Sequence, residues 1–251
     1  FDRLTKSKTV SRLIAVDSLS DDDLSKLFDC LASQLSKMSI QQKNDIQFAL
    51  DTSLHAIRSH KSQITARVSV KGLLHPIIIS AFFLKENEEI NKLARERLNS
   101  ILSELMSIPN ESHSWQFQAL EIIFQEESLG KELANPLDET LKEIKDTSVK
   151  VLEDVSTAIT DPRSRGLESL LSMCVLGMYS GEAESVSIIE ELCTFHKQIA
   201  DSSTSLVGLT EILLSLLAQK KSLFRKLSLL VWQQFINVVE EDELELLLNV
   251  L

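Results

Sequence analysis

"GLTEILLSLLAQKKSLFRKLSLLVWQQF" occupies residues 208–235, and where it is cut decides the fold. One unbroken helix would set Lys220 and Lys221 among leucines. Cut at Gln219-Lys220-Lys221, both halves make sense. The first half, residues 209–218, ends in cations, which the negative end of a helix dipole favours. The second half spaces Leu223, Phe224, Leu227, Leu230, Val231 and Phe235 along one face and puts Arg225, Lys226, Gln233 and Gln234 outside. The stretch therefore reads as an αα-hairpin. A lone hairpin leaves an apolar face uncovered, and covering it with further hairpins builds an α-solenoid.

The same grammar runs through the rest of the chain. Ser20 caps a helix whose first turn is Asp21-Asp22-Asp23 and whose stripe is Leu24, Leu27, Phe28, Leu31, Leu35 and Met38. Ser39, with Gln42 three residues on, reads as the capping box of the next helix, which carries Ile46, Ala49, Leu50, Leu54 and Ile57. A short apolar run follows Pro76, and residues 85–89 read as a turn before a helix through Leu105. Further helices are expected over 115–124, 139–159, 167–179, 187–199 and from Glu241, with Asp161-Pro162 and Ser180-Gly181 as breaks. Leu170-Leu171-Ser172 answers Leu213-Leu214-Ser215 at a spacing of 43 residues. That matches the roughly 40–47-residue period of HEAT and armadillo repeats. The expected fold is all-α: an α-solenoid of degenerate HEAT/armadillo-like repeats. Residues 1–251 form part of one continuous repeat domain, with 126–140 as a charged loop.

Composition agrees. The chain holds 6 Gly and 4 Pro in 251 residues, too few turn formers for an all-β domain of this size. It opens on Phe1 and closes inside an apolar, acidic helical pattern, so it is expected to be an internal piece of a longer protein. The longest near-apolar run, residues 73–84, is interrupted by His75, Pro76 and Ser80 and is well short of the ~20 residues a bilayer needs. No membrane role is expected. Three widely spaced cysteines, Cys30, Cys174 and Cys193, fit a reducing compartment. Residues 1–125 carry 15 cationic and 15 acidic side chains, whereas residues 126–251 carry 11 and 22. The acidic second half disfavours broad contact with nucleic-acid phosphates.

Catalytic signatures are missing. There is no GxGxxG, P-loop, GxSxG or HExxH, and the five histidines show no ligand spacing. Asp21-Asp22-Asp23 cannot converge on one ion, because adjacent helical residues point apart. No catalytic residue, cofactor, metal or small-molecule substrate is expected. Three basic patches remain: Arg3-Lys6-Lys8-Arg12, then Arg58-His60-Lys61-Arg67-Lys71, then Lys220-Lys221-Arg225-Lys226. Each reads either as a solvated helix face or as a contact for RNA phosphates or an acidic partner. Of these, Lys220, Lys221, Arg225, Lys226, Arg58, Lys61, Arg67 and Lys71 are the candidate partner contacts.

Residues 206–251 resemble the family of Myb-binding protein 1A and the fungal protein called DNA polymerase V, the DNA polymerase phi family. The likeness extends more weakly over 167–200 and 135–146. Phe224-Arg225 also resembles the hydrophobic-Arg step that opens the second helix of HEAT repeats. The resemblance implies a nuclear, nucleolar scaffold in ribosomal RNA synthesis and large-subunit assembly, or a transcription co-regulator. The implied partners are pre-ribosomal proteins and pre-ribosomal RNA, with rDNA chromatin and transcription factors left open. A HEAT-type nuclear transport receptor is the alternative. The family's fungal name suggests a polymerase, but nucleotidyl transfer needs separated carboxylates converging on two metals, and no strands bearing such acids are present. The chain is read as a non-enzyme.

Overall fold

Leucine-rich stripes spaced three and four residues apart produce helices throughout the chain. The computed structural model describes residues 19–38, 42–64, 68, 70–85, 87–108, 112–157, 161–200, 206–219, 222–239 and 241–250. Among these residues there are eleven α-helices and no strand. They are α1 (Asp21–Lys37), α2 (Lys43–Ser59), α3 (Lys71–Ile78), α4 (Glu88–Leu105), α5 (Trp115–Ser128), α6 (Glu139–Thr157), α7 (Pro162–Tyr179), α8 (Ala183–Ala200), α9 (Val207–Ala218), α10 (Ser222–Phe235) and α11 (Glu241–Val250). Two compact units divide the chain. The first is residues 1–111 with 121–136; the second is 112–120 with 137–251.

In the first unit, α1 packs on α3 and α2 on α4. Each hairpin so covers the apolar face of the next, burying Leu24, Phe28 and Leu31 of α1 and Leu73, Leu74 and Ile77 of α3. Full burial of a side chain of this size is worth about 1.5–3 kcal/mol, so the stack is held mainly by these faces. The exposed rim fixes the register. Lys43 pairs with Glu89, Arg97 with Asp51 and Arg58 with Glu104, always 46 residues apart. Three contacts at one constant offset mean that α2 and α4 run parallel, residue n facing residue n+46. After Pro76, α3 widens into a π-helical turn, Ile79–Phe83. Buried Asn91 donates to the carbonyls of Ser80 and Ala81 there, at 3.2 and 3.3 Å.

In the second unit, α7 is covered on nearly every side. Leu170 through Tyr179 are all buried, packed by α6, α8 and α10. The hairpin α9–α10 splits where the cations demand: Gln219 is extended (φ −70°, ψ 148°), and α10 buries Leu223, Phe224, Leu227, Val231 and Phe235. Glycine is required at two positions. Gly181 turns the chain at φ +81°. At Gly177 a Cβ would lie 2.2 Å from the Ser185 hydroxyl, so only glycine lets α7 and α8 approach this closely.

Several local expectations need correction. The α2 cap expected at Ser39 lies outside the described residues, and Gln42 stands at the N-cap position with no side-chain capping bond. Residues 85–89 do not form a turn throughout. Asn87 caps α4 by accepting from the Ile90 amide at 3.1 Å, so Glu88 and Glu89 are already helical. Asp161-Pro162 starts a helix as much as it ends one. Asp161 accepts from the Arg163 amide at 2.9 Å, and proline takes the first helical position, where its missing N–H costs nothing. Gln234 is not outside. Its Oε1 is buried against Gly166, where α10 crosses α7. The 43-residue likeness of α7 and α9 does not become a stack of one on the other, since α7 packs on α10 and α9 on α8.

Candidate interaction surface

Three of the basic candidates face carboxylates. Arg58, at the end of α2, donates through Nε to Glu104 Oε1 at 2.9 Å, and Lys61 reaches Glu104 Oε2 at 3.5 Å. Lys71 lies 3.4 Å from Glu121. Thus one carboxylate of α4 gathers two cations of the second patch, and a carboxylate of α5 holds a third. Arg225 and Lys226 lie on the exposed face of α10, beside exposed Leu229. Arg67, Lys220, Lys221 and the patch Arg3-Lys6-Lys8-Arg12 lie outside the described residues.

Two buried glutamates carry electrostatics that the sequence reading did not find. Glu126, at the end of α5, receives Lys131 and the Nε2 of His75, the latter at 2.8 Å. The Lys131 and His75 bonds hold its carboxyl below the usual range. Glu168 on α7 has no solvent exposure. It accepts from His113 Nδ1 at 2.7 Å, the Ser114 amide at 2.7 Å and the Ser156 hydroxyl at 3.0 Å. Ser114 in turn caps α5 through Phe117 N. Glu168 therefore ties the lead-in to α5 and the end of α6 to α7, a positioning role rather than a reactive one.

The thiols tell against nucleophilic chemistry. Burial pushes Cys30, Cys174 and Cys193 upward, opposite to an activated thiolate. Among the described residues, no group of three His, Cys, Asp or Glu is placed to hold a metal ion, and no helix is long and apolar enough to cross a membrane.

What the surface does offer is a furrow between α8 and α9. Two adjoining cavities of about 600 and 370 Å³ share Ser187 and Glu191 as lining. The furrow runs from Glu184 and Gln219 at one end to Gln198 and Gly208 at the other. It opens because the facing side chains are small: Ser187, Ser215, Ala218 and Gly208.

Packed helical hairpins with paired rim charges and an open acidic furrow make the described residues an all-helical assembly. The chain belongs to the DNA polymerase phi family, whose pattern it matches over residues 1–251. It is 44% identical over 263 residues to the rDNA transcriptional regulator POL5 of Saccharomyces cerevisiae, covering all of this chain and 25% of that protein. It is 28% identical over 293 residues to the rDNA transcriptional regulator pol5 of Schizosaccharomyces pombe, covering all of this chain and 30% of that protein. The chain thus spans between a quarter and a third of these relatives. No solved structure matches it significantly.

Proposed function

We propose that this chain is a stretch of α-solenoid, built of degenerate HEAT/armadillo-like repeats, that serves as a nucleolar scaffold. Its process is rDNA transcription together with assembly of the large ribosomal subunit. The observation that carries the reading is the likeness, over the whole chain, to two proteins named as rDNA transcriptional regulators. The constant 46-residue offset between α2 and α4 supports the repeat architecture, since it falls within the roughly 40–47-residue period of such repeats. The relatives' names point to regulation rather than to nucleotide polymerisation, so the scaffold acts without chemistry of its own.

The partners are pre-ribosomal proteins and pre-ribosomal RNA, with rDNA chromatin and transcription factors on the regulatory side. Arg225 and Lys226, with Lys220 and Lys221 beside them in sequence, are the leading contact ridge. Arg58, Lys61 and Lys71, each facing a carboxylate, are further candidate contacts. In-cell cross-linking and mass spectrometry of the full-length protein tests this. Peptides spanning residues 219–235 should link to pre-ribosomal or rDNA-bound proteins. Replacing Lys220, Lys221, Arg225 and Lys226 with Ala should weaken that association and leave the fold intact. A full-length protein that never links to such particles overturns the reading.

A further inference from the structure

The furrow between α8 and α9 is rimmed by Glu184, Glu190, Glu191 and Glu211, all exposed. Its floor is apolar, formed by the edges of Ile188, Phe195 and Ile212. Among the described residues, none of these four glutamates has a cation within ion-pair distance. By contrast, Glu89, Glu104 and Glu121 each face a lysine or arginine from another element, and Glu132 faces Lys85. Four glutamates along one concave surface repel one another, and a concave, low-dielectric wall focuses the resulting field outward.

We propose that this furrow is a docking groove for a lysine- and arginine-rich segment of a partner protein. Long cationic side chains suit it, because their aliphatic stems can lie on Ile188, Phe195 and Ile212 while their heads reach the glutamates. The field excludes the other occupants: nucleic-acid phosphates are repelled, and a purely apolar helix would leave the rim charges unmatched and partly desolvated. A metal ion is not favoured, since no three of these groups converge. The stretch of α8 from Glu184 to Gln198 is on the order of 20 Å long at ~1.5 Å per residue. It therefore takes a segment of roughly a dozen residues. The proposal deepens the scaffold reading and rests on it only for the identity of the cell's partner, not for the groove itself.

The test uses the full-length protein and a fluorescein-labelled peptide of about 15 residues alternating Lys or Arg with Leu or Ala, followed by anisotropy at ~0.15 M salt, where unspecific surface attraction is screened within ~8 Å. Replacing Glu184, Glu190, Glu191 and Glu211 by Gln should weaken binding about tenfold or more, four rim pairs being lost together. Ser215→Phe, which fills the furrow without changing charge, should weaken it several-fold. Replacing Glu143, Asp146, Glu153 and Asp154 on α6 by their amides removes as much charge from an exposed helix, and should leave Kd within about twofold.

Equal losses in the α6 and furrow variants would reduce the effect to general acidity and overturn the proposal. So would an unaltered Kd in Ser215→Phe, or displacement of the peptide by an oligouridylate that binds the same face. Loss of the groove result with pre-ribosomal cross-links intact removes the groove alone. Furrow-dependent peptide binding by a protein that never reaches those particles removes the scaffold reading alone.

Discussion

The two units differ in how far along the chain their ion pairs reach. In the first, beside the local pair Lys26–Asp23, cations and carboxylates meet between elements far apart in sequence: Lys43–Glu89, Arg97–Asp51 and Arg58–Glu104 join α2 to α4 at 46 positions, and Lys85–Glu132 joins two loops at 47. In the second, the described lysine and arginine pairs are local, Lys142–Glu139 and Arg163–Asp161, and the long-range one is the buried His113–Glu168 bond. Composition follows the same division: the first unit carries 16 cationic and 18 acidic side chains, the second 10 and 19. In the first unit the pairs between α2 and α4 set helix register. In the second unit, Glu184, Glu190, Glu191 and Glu211 line the furrow between α8 and α9 and are exposed. Both units rest on the same kind of apolar core, so the difference lies in recognition and not in stability.

Core truncations should therefore cost alike. Phe28→Ala in α1 and Phe224→Ala in α10, both nearly fully buried, should each destabilise their own unit by about 3–5 kcal/mol. Native-state hydrogen exchange on the full-length protein measures this. A large cost in one unit and a negligible one in the other would break the claim of equivalent cores. Glu168→Ala should come next, at about 2–4 kcal/mol, because it strands the His113, Ser114 and Ser156 donors in a buried site. Its signature is faster exchange at the start of α5 and the end of α6 together. Gly177→Ala follows at about 1–3 kcal/mol, since the new methyl meets Ser185 where α7 and α8 touch. Gly177→Ala combined with Ser185→Gly should recover part of that loss.

The hairpin break at Gln219 was legible in the sequence because lysines amid leucines have no place inside one buried helix. Ser20 was legible as a cap, and its hydroxyl does accept from the Asp23 amide at 3.2 Å. Facts that depend on tertiary register were not legible. Nothing local marks His75 or His113 as a glutamate's partner, because Glu126 and Glu168 lie 51 and 55 residues away. Gln234 reads as surface because it and Gln233 are polar, yet Gly166 leaves room for it on α7. One signal was available and unused. Opposite charges recur at an offset of 46 between residues 43–58 and 89–104, and a scan for complementary charge at fixed spacing would have shown both the repeat and its register. The furrow left no such mark. It arises from small side chains on two helices whose facing was unknown until they were packed.

Two smaller effects sharpen the contrast between units. Glu126 has a folded-state carboxyl held below its ordinary value of 4.5, first by Lys131 and then by His75. A depressed carboxyl stabilises the folded state above its unfolded value, and that contribution is lost as pH falls through the folded one. The end of α5 in the first unit should thus lose exchange protection as pH drops below about 4.5, and Glu126→Gln should flatten that acid limb. A mutant with an unchanged acid limb would show that this carboxyl does not couple to folding.

The smallest effect is the ladder itself. Arg58 is more than half exposed while Glu104 is largely covered, so a double-mutant cycle to Ala should give a coupling of only about 0.2–1 kcal/mol. At ~1 M salt, where the screening length is about 3 Å, the coupling should shrink further. Its value lies in direction rather than size. If these pairs set register, charge reversal at Arg58 alone should loosen the α2–α4 seam, and reversing Glu104 as well should restore it. The local pair Lys142–Glu139 should show no comparable rescue between elements, because both partners sit on α6. Rescue in both places would mean that the two units do not differ in how they use their charges. Rescue confined to the α2–α4 seam would confirm that pairing of charge between helices sets register in the first unit.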